Sequence, residues 1–489
     1  MSVQKPDIGE LKVTRIMDSL GTCPIKSGAY PTAFAINLKD SDGTVLFPDS
    51  INWILNNQHP DGSWGDSRFW APDRLVCTLA AIVNLHDSSH PESKQAMSRG
   101  IQFLSMAEPV LTDSLRSSQW PIAFELIVPY LMNKARDLGV AEIPGIASLR
   151  FHGDRKLSMI SRTMLTTMPT TLLYSIEAID IPSDDIPRLV KFLSANGGLA
   201  DSPAATAKIF ENTGSNLALK YLADCTKSTG DGGFSETFPA DVYESVWVAD
   251  ALTAGRLGQY CRTLVDSIAS RATPEGVNYS TSFPIPDADN TSVAAFVLQQ
   301  HGRSTEAEML VQSLKKYERD YGFVCYKFEN DPSSTVNSHV LRALCTARSR
   351  HGFDEQIKKA KNFVLSARQD GYYWEHDKWN VSACYATMCA VQSLSYISPQ
   401  EAKKSIDWIL DQKYESTEEA AYIAYSLDCI YRSGFPVPEI EFQKLYHFMA
   451  GNTQESHPGL WISKGLYCPQ LIVESEIVGA TNLCLARIK

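Results

Sequence analysis

The sequence predicts an all-α protein of two α/α-barrel domains, and three observations carry that prediction. Apolar residues recur at three- and four-residue spacing, as at Leu11, Ile16, Met17 and Leu20 and again at Leu75, Leu79, Ile82 and Leu85, which is the stripe of an amphipathic helix. Strand-like alternation is nowhere sustained. Between the helical stretches a loop signature of glycine and aromatic residues returns: Asp61-Gly-Ser-Trp64, Gly232-Gly-Phe234, Glu275-Gly-Val-Asn-Tyr279, Tyr321-Gly-Phe323, Asp370-Gly-Tyr372 and Pro458-Gly-Leu-Trp461.

In the second half these loops fall about every 45 residues, the length of a helix pair with its connections. Helix pairs at that period close into a toroid with inner and outer helices, although a straight solenoid fits the period too. The loop residues themselves read as structural: glycine takes positive φ, the acid accepts backbone hydrogen bonds, and the aromatic covers a helix end. A chain of 489 residues with 44% hydrophobic content is long enough for two cores of ordinary domain size.

Composition also excludes functions. A net charge of -11 argues against nucleic acid as a partner, since phosphate binding needs a basic surface. The 11 cysteines stand singly, without a C-x-x-C pair or zinc-type Cys/His spacing, which reads as reduced thiols in a cytoplasmic protein. The start, MSVQKPDIGELKV, lacks the apolar run of a signal peptide, and no stretch reaches the length of a membrane span. No G-x-G-x-x-G or P-loop joins a strand to a helix, so common nucleotide binding finds no support.

Helical pattern breaks most sharply from Thr273 to Asn290, where Pro284 and Pro286 forbid helix just ahead of Asp287-Ala-Asp289-Asn290. The apolar run that follows, ending at Gly302, reads as a capped helix. Asp and Asn here are ordinary capping residues, but the helix is rich in small apolar residues, which places the carboxylates at the rim of a buried space. A carboxylic acid that protonates an alkene must be kept protonated until use, and burial does so by disfavouring the anion. Hydrogen-bond donors and the helix N-terminus would steady the conjugate base. Aromatic faces, worth roughly 0.5–2 kcal/mol each toward a cation, would line the path of the product.

These residues resemble the class II terpene cyclases of the copalyl diphosphate synthase type, and the resemblance runs over almost the whole chain. It rests on an ordered series: Tyr30-Pro-Thr-Ala-Phe34, Gln58-His-Pro-Asp-Gly-Ser-Trp-Gly65, Asp73-Arg-Leu75, Pro121-Ile-Ala-Phe-Glu125, Arg155-Lys-Leu157, Pro169-Thr-Thr-Leu-Leu-Tyr-Ser-Ile-Glu177, Ser202-Pro-Ala-Ala-Thr-Ala207, Phe238-Pro-Ala-Asp-Val-Tyr-Glu244, Asp287-Ala-Asp-Asn-Thr-Ser292, Asp377-Lys-Trp379 and Trp461-Ile-Ser-Lys-Gly-Leu-Tyr-Cys-Pro469. It implies a βγ architecture, with residues 1–28 and 256–489 forming the β domain, 29–255 an inserted γ domain, and the active site between them.

By the same resemblance Asp289 is the proton donor, with Asp287 and Asn290 as its neighbours in the acidic motif. Asn337, in Thr335-Val-Asn-Ser-His339, matches a segment that hydrogen-bonds the catalytic acid. Lys156 and Lys378 match residues associated with the substrate diphosphate, and Glu125 with Asp113 falls where relatives hold Mg²⁺. Three positions depart from the family pattern. The acidic motif ends in Asn290 rather than Asp, and Asp113-Ser-Leu-Arg-Ser117 is less acidic than in plant relatives. Tyr174 and Glu236 stand where plant ent-copalyl diphosphate synthases carry His and Asn for the final deprotonation, which implies a different product.

A class I signature is absent, since Asp184-Asp185 lacks its third acid, so the diphosphate is expected to survive. The implied reaction is cyclisation of geranylgeranyl diphosphate to a bicyclic copalyl-, labdane- or halimane-type diphosphate, which passes to a class I terpene synthase. Farnesyl diphosphate giving a drimenyl-type product is the alternative substrate. Two other classes were weighed: a protein prenyltransferase, which needs a zinc trio not found near the loops, and a non-catalytic α/α-repeat scaffold.

Overall fold

The computed structural model describes residues 8–22, 25–116, 119–159, 162–375, 377–452 and 457–488. The expected absence of a leader at residues 1–7, Ser117 of the 113–117 segment and the side chain of Leu11 lie outside them. The described residues are mostly helix, with four two-stranded antiparallel pairs of two residues per strand among them.

It divides into two compact units. The first holds Met1–Cys23, Ala240–His457 and Pro469–Lys489, and the second Pro24–Pro239 and Pro458–Cys468. The division falls at residue 239 rather than at the expected 255, because the Asp241–Ala254 helix packs in the first unit against Ala288–Gln300 and Gln470–Leu485. The excursion at 458–468 has a local cause: Ser463 O accepts from Ile122 N, Cys468 O from Lys26 N, and Leu466 N donates to Asp73 Oδ1.

Six helices form the inner ring of the first unit: Asp241–Ala254, Ala288–Gln300, Ser334–Thr346, Ala383–Ser395, Thr417–Arg432 and Gln470–Leu485. Each packs on the next and the last packs on the first, so the repeat closes as an α/α barrel and not as a straight solenoid. Sequence sorts inner from outer helices. Thr417–Arg432 is buried continuously from Thr417 to Ile430, as a helix enclosed on all sides must be. Glu439–Gly451 buries only Phe442, Leu445 and Met449, one stripe at three- and four-residue spacing, and takes an outer place.

The second unit repeats the plan with Ala29–Ala33, Ala71–Leu85, Phe124–Arg136, the 3₁₀ helix Thr171–Ala178 and Pro203–Thr213 following one another around a ring. The same local corner is built within each unit. Trp64 Nε1 donates to Ile54 O and Trp374 Nε1 to Val364 O, both at 2.7 Å, while their backbone N–H groups donate to Thr78 and Thr387 hydroxyls. In the Asp370 loop the buried ring is thus Trp374, and Tyr372, which the loop signature singled out, is 54% exposed. Among the described residues no helix is long and apolar enough to cross a membrane.

Trp374→Phe keeps most of the buried ring but removes its N–H. The expected cost is on the order of 1–3 kcal/mol, read as a lower urea midpoint at unchanged slope. An unaltered midpoint would show that the corner does not depend on this bond.

Candidate active site

The acidic loop is held by backbone before any of its side chains act. Val277–Asn278 pairs antiparallel with Pro286–Asp287, and Ala288 N donates to Cys325 O at 2.8 Å. Gly276 sits at φ +120, where a Cβ would come within 2.6 Å of Thr291 Oγ1, so only glycine fits this approach. Asp287 then takes the N-cap position of Ala288–Gln300 in extended conformation. Its Oδ1 accepts from Asn290 N and its Oδ2 from Asn290 Nδ2, each at 2.7 Å.

Capping therefore explains Asn290 and corrects its expected role. A cap side chain reaches the N–H three residues on, so the Asn290 amide serves Asp287 and not Asp289. Asp287 is 1% exposed. Burial pushes its carboxyl up to about 7, with the Asn290 hydrogen bonds acting in the opposite sense.

Asp289 lies one step further into the first turn, its side chain 15% exposed, and its Oδ1 is 2.7 Å from His339 Nδ1. His339 projects from Ser334–Thr346, with the Trp247 ring edge-on at 5.9 Å. Burial acts to lower the His339 pKa, but Cys389 and the Asp289 carboxylate outweigh it and raise the ring to about 10. The imidazole therefore holds its proton at neutral pH and donates to Asp289.

This bond replaces the one expected from Asn337. Asn337 Nδ2 donates to Phe323 O and Ser333 O, and its Oδ1 accepts from Phe323 N, all at 2.8 Å. Both ends of its amide are used in clamping the Glu318–Phe323 hairpin to the helix. The residue that meets Asp289 thus stands two positions beyond Asn337 on the same helix. Asp377 fixes where that helix starts, accepting from Ser333 Oγ, Ser334 N and Thr335 Oγ1.

Behind His339 lies a cavity of about 20 Å³, bordered by Trp247, Asp250, Tyr385, Met388 and Glu476. It holds roughly one water molecule, not a prenyl chain. A wider depression of about 470 Å³, with Arg262, Asp266, His301 and Arg303 on its walls, opens at the far end of the Ala288–Gln300 helix and belongs to another surface.

The remaining expected residues fall into pairs. In the first unit Lys378 Nζ donates to Glu329 Oε2 and Asp331 O, both at 2.8 Å. In the second unit Lys156 Nζ donates to Glu125 Oε1 at 2.6 Å, so a residue expected at the diphosphate and one expected at Mg²⁺ are tied to each other. Asp113 is well exposed and pairs with Arg116 at 3.4 Å. Each carboxylate thus faces its own cation, and among the described residues no group of three or more His, Cys, Asp or Glu is placed to hold a metal ion. The present arrangement does not fit a Mg²⁺ ligand set.

Tyr174 and Glu236 do come together. Tyr174 Oη donates to the Glu236 backbone carbonyl at 3.0 Å and lies 2.6 Å from Ser463 Oγ. The Glu236 side chain is 2% exposed, and burial raises it to about 8.

No family model matches the sequence. The syn-copalyl diphosphate synthase of rice is 32% identical over 379 residues, which are 74% of this chain and 48% of that protein. The chain spans about half the length of the curated relatives it matches. In fold it is similar to the ent-copalyl diphosphate synthase of Streptomyces platensis, with a TM-score of 0.78 at 22% identity, covering 98% of this chain and 99% of that one. The Arabidopsis thaliana ent-copalyl diphosphate synthase, solved with an aza-dihydrogeranylgeranyl thiolodiphosphate, gives 0.73 at 23% identity over 97% of this chain and 63% of that one. In sequence the chain is similar to the copalyl diphosphate synthases, and it has their fold.

Proposed function

We propose that the chain cyclises a prenyl diphosphate by protonating its terminal alkene, with geranylgeranyl diphosphate as the substrate and the diphosphate retained. The observation that carries this reading is the Asp289–His339 pair at the first turn of a buried helix. An imidazolium bonded to Oδ1 would steady the carboxylate left when the other oxygen gives up its proton to the alkene. Asp287 and Asn290 hold the turn on which Asp289 sits.

Proton transfer to the terminal double bond leaves a tertiary cation. The next alkene attacks it and closes a ring, and a second attack closes the bicycle. Loss of a proton from a carbon beside the last cation restores a double bond, so the product is an isomer of the substrate. Glu236, with Tyr174 fixed against its backbone, is the group assigned to that last proton. Because it differs from the His and Asn of plant ent-copalyl diphosphate synthases, the product is not assigned as ent-copalyl diphosphate. Lys156 and Lys378 are assigned to the diphosphate, whose oxygens would compete for ammonium groups now bonded to Glu125 and Glu329. The product would pass to a class I terpene synthase. A cytoplasmic location is part of the reading, supported by buried cysteines that form no disulfide among the described residues, whereas the rice and maize relatives are named as chloroplastic.

Purified protein incubated with geranylgeranyl or farnesyl diphosphate, then dephosphorylated, is expected to give a cyclic alcohol from the former by mass spectrometry. Asp289→Asn should lower that activity at least about 100-fold, the scale of a general acid. Linear alcohols from both substrates would overturn the reading, and a cyclic product from farnesyl diphosphate alone would reassign the substrate.

A second expectation concerns stability. His339 stands at about 10 in the folded chain against an ordinary 6.5. A group raised on folding adds stability that is fully present below pH 6.5 and is lost as pH climbs through 10. The unfolding free energy of the parent should therefore exceed that of His339→Gln most at pH 6.5 and converge on it toward pH 10. A gap that stays constant with pH would show that the imidazole is not held charged.

A further inference from the structure

In the second unit, segments far apart in the chain converge on a set of buried ionisable groups larger than the proposed cascade uses. Glu177 is fully buried, and its Oε1 accepts from Tyr30 Oη at 2.8 Å and from Lys464 Nζ at 2.7 Å. Lys464 is 1% exposed and gives a second N–H to Ser202 Oγ at 2.7 Å. Its ammonium also stands 4.4 Å from the centroid of the Tyr174 ring, the ring that holds the Glu236 backbone.

Glu236 is the unanswered member. Neither of its carboxyl oxygens makes a hydrogen bond among the described residues; the Gly465 N–H approaches and favours the anion without reaching bonding geometry. Gly28 and Gly465 close over Oε1, where added Cβ atoms would stand at 2.8 and 3.1 Å. Asp73 completes the set, accepting from Asp66 N and Leu466 N, with Arg74 beside it. Three buried carboxyl groups, Asp73, Glu177 and Glu236, thus share the interior with one buried ammonium, and the hydrogen bonds of that ammonium go to Glu177 and Ser202.

An ionised carboxylate left without a partner in such a place is costly, and the group keeps its proton instead. Burial is the main cause that raises Glu236; Lys464 opposes it, and Asp73 and Glu177 add to it. Tyr30, Cys77 and Tyr174 also face the set, and burial pushes each of them up.

We propose that Lys464 and Glu177 are positioning residues that decide whether Glu236 is charged, and thereby whether the reaction ends by proton loss to Glu236 or by capture of the cation by water. The proposal rests on the reading above that Glu236 ends the cascade. In the first ending, a C–H bond beside the cationic carbon breaks, its electron pair forms the new double bond, and the proton goes to the Glu236 carboxylate. In the second, a water oxygen bonds the cationic carbon and its spare proton leaves to solvent, giving a hydroxylated diphosphate. A protonated Glu236 accepts nothing and leaves the cation to water.

Two variants separate this from a packing role because they act with opposite sign. Glu177→Gln removes the competing anion and frees Lys464 for Glu236; Lys464→Gln removes the cation. The ratio of alkene to alcohol product, followed from neutral to alkaline pH, is expected to shift its midpoint down in the first and up in the second, by about one pH unit or more each. Lys464→Arg, which keeps the charge, should hold the parent midpoint. Infrared titration of the protein without substrate, with the protonated-carboxyl band assigned by its loss in Glu236→Gln, reads the same midpoints. Opposite shifts by this readout support the proposal, and shifts of one sign or none overturn it. If Lys464→Gln does not fold, Glu177→Gln and the infrared midpoint decide alone. Should the parent make no cyclic product, the reading of the cascade falls, while the infrared midpoints still judge the charge coupling.

Discussion

Asp289 Oδ1 and His339 Nδ1, 2.7 Å apart, join two inner helices that also meet where Arg342 lies over the Phe296 ring. In a ring of helices buried on every side, neither charge is stable alone, because removing an ion from water costs several kcal/mol unless a partner answers it. The neighbouring features serve this contact. Asp287 and Asn290 fix the turn that carries the acid, Asp377 fixes the start of the helix that carries the imidazole, and Asn337 locks that helix to the hairpin before it. The partner of Asp289 thereby comes from the next helix in the ring and not from the motif in which Asp289 lies.

That distinction explains what the sequence made legible. The helical period, the buried stripe of the outer helices and the break at Pro284 and Pro286 are local properties, and the structure follows them. The capping of Ala288–Gln300 was also local, since Asp and Asn at a helix start bond the backbone ahead of them. A cap reaches three residues forward, which joins Asp287 to Asn290 and leaves Asp289 to another partner. The partner of Asp289 comes from a helix fifty residues away in sequence, and no local pattern distinguishes Asn337 from His339. Only the register of the Ser334–Thr346 helix against its neighbour does so.

The same limit applied to the second unit. Tyr174 and Glu236 were read as a pair from their places in a family pattern, and their approach follows. Lys464 and Glu177, so far apart in the chain, carry no sign in sequence that they meet. Glu125 and Lys156 show the converse: two residues assigned to separate ligands are bonded to each other. Where two barrels share one plan, the differences lie in how each interior balances its charges. In the first unit Asp289 is partnered by His339, and in the second the Lys464 ammonium is bonded to Glu177 and not to Glu236.

The path of the backbone has a consequence for synthesis. The chain passes from one unit to the other at residues 23/24, 239/240, 457/458 and 468/469, so neither unit is a continuous stretch. The ring of the first unit closes only when Gln470–Leu485 meets Asp241–Ala254, and the second lacks the strands at Trp461–Ile462 and Leu466–Tyr467 until the same late stage. Lys464, which answers the charge on Glu177, arrives with those strands. Until the segment from Trp461 to Leu485 has been made, both interiors stand open and Glu177 is without its cation, so neither unit is finished before the other.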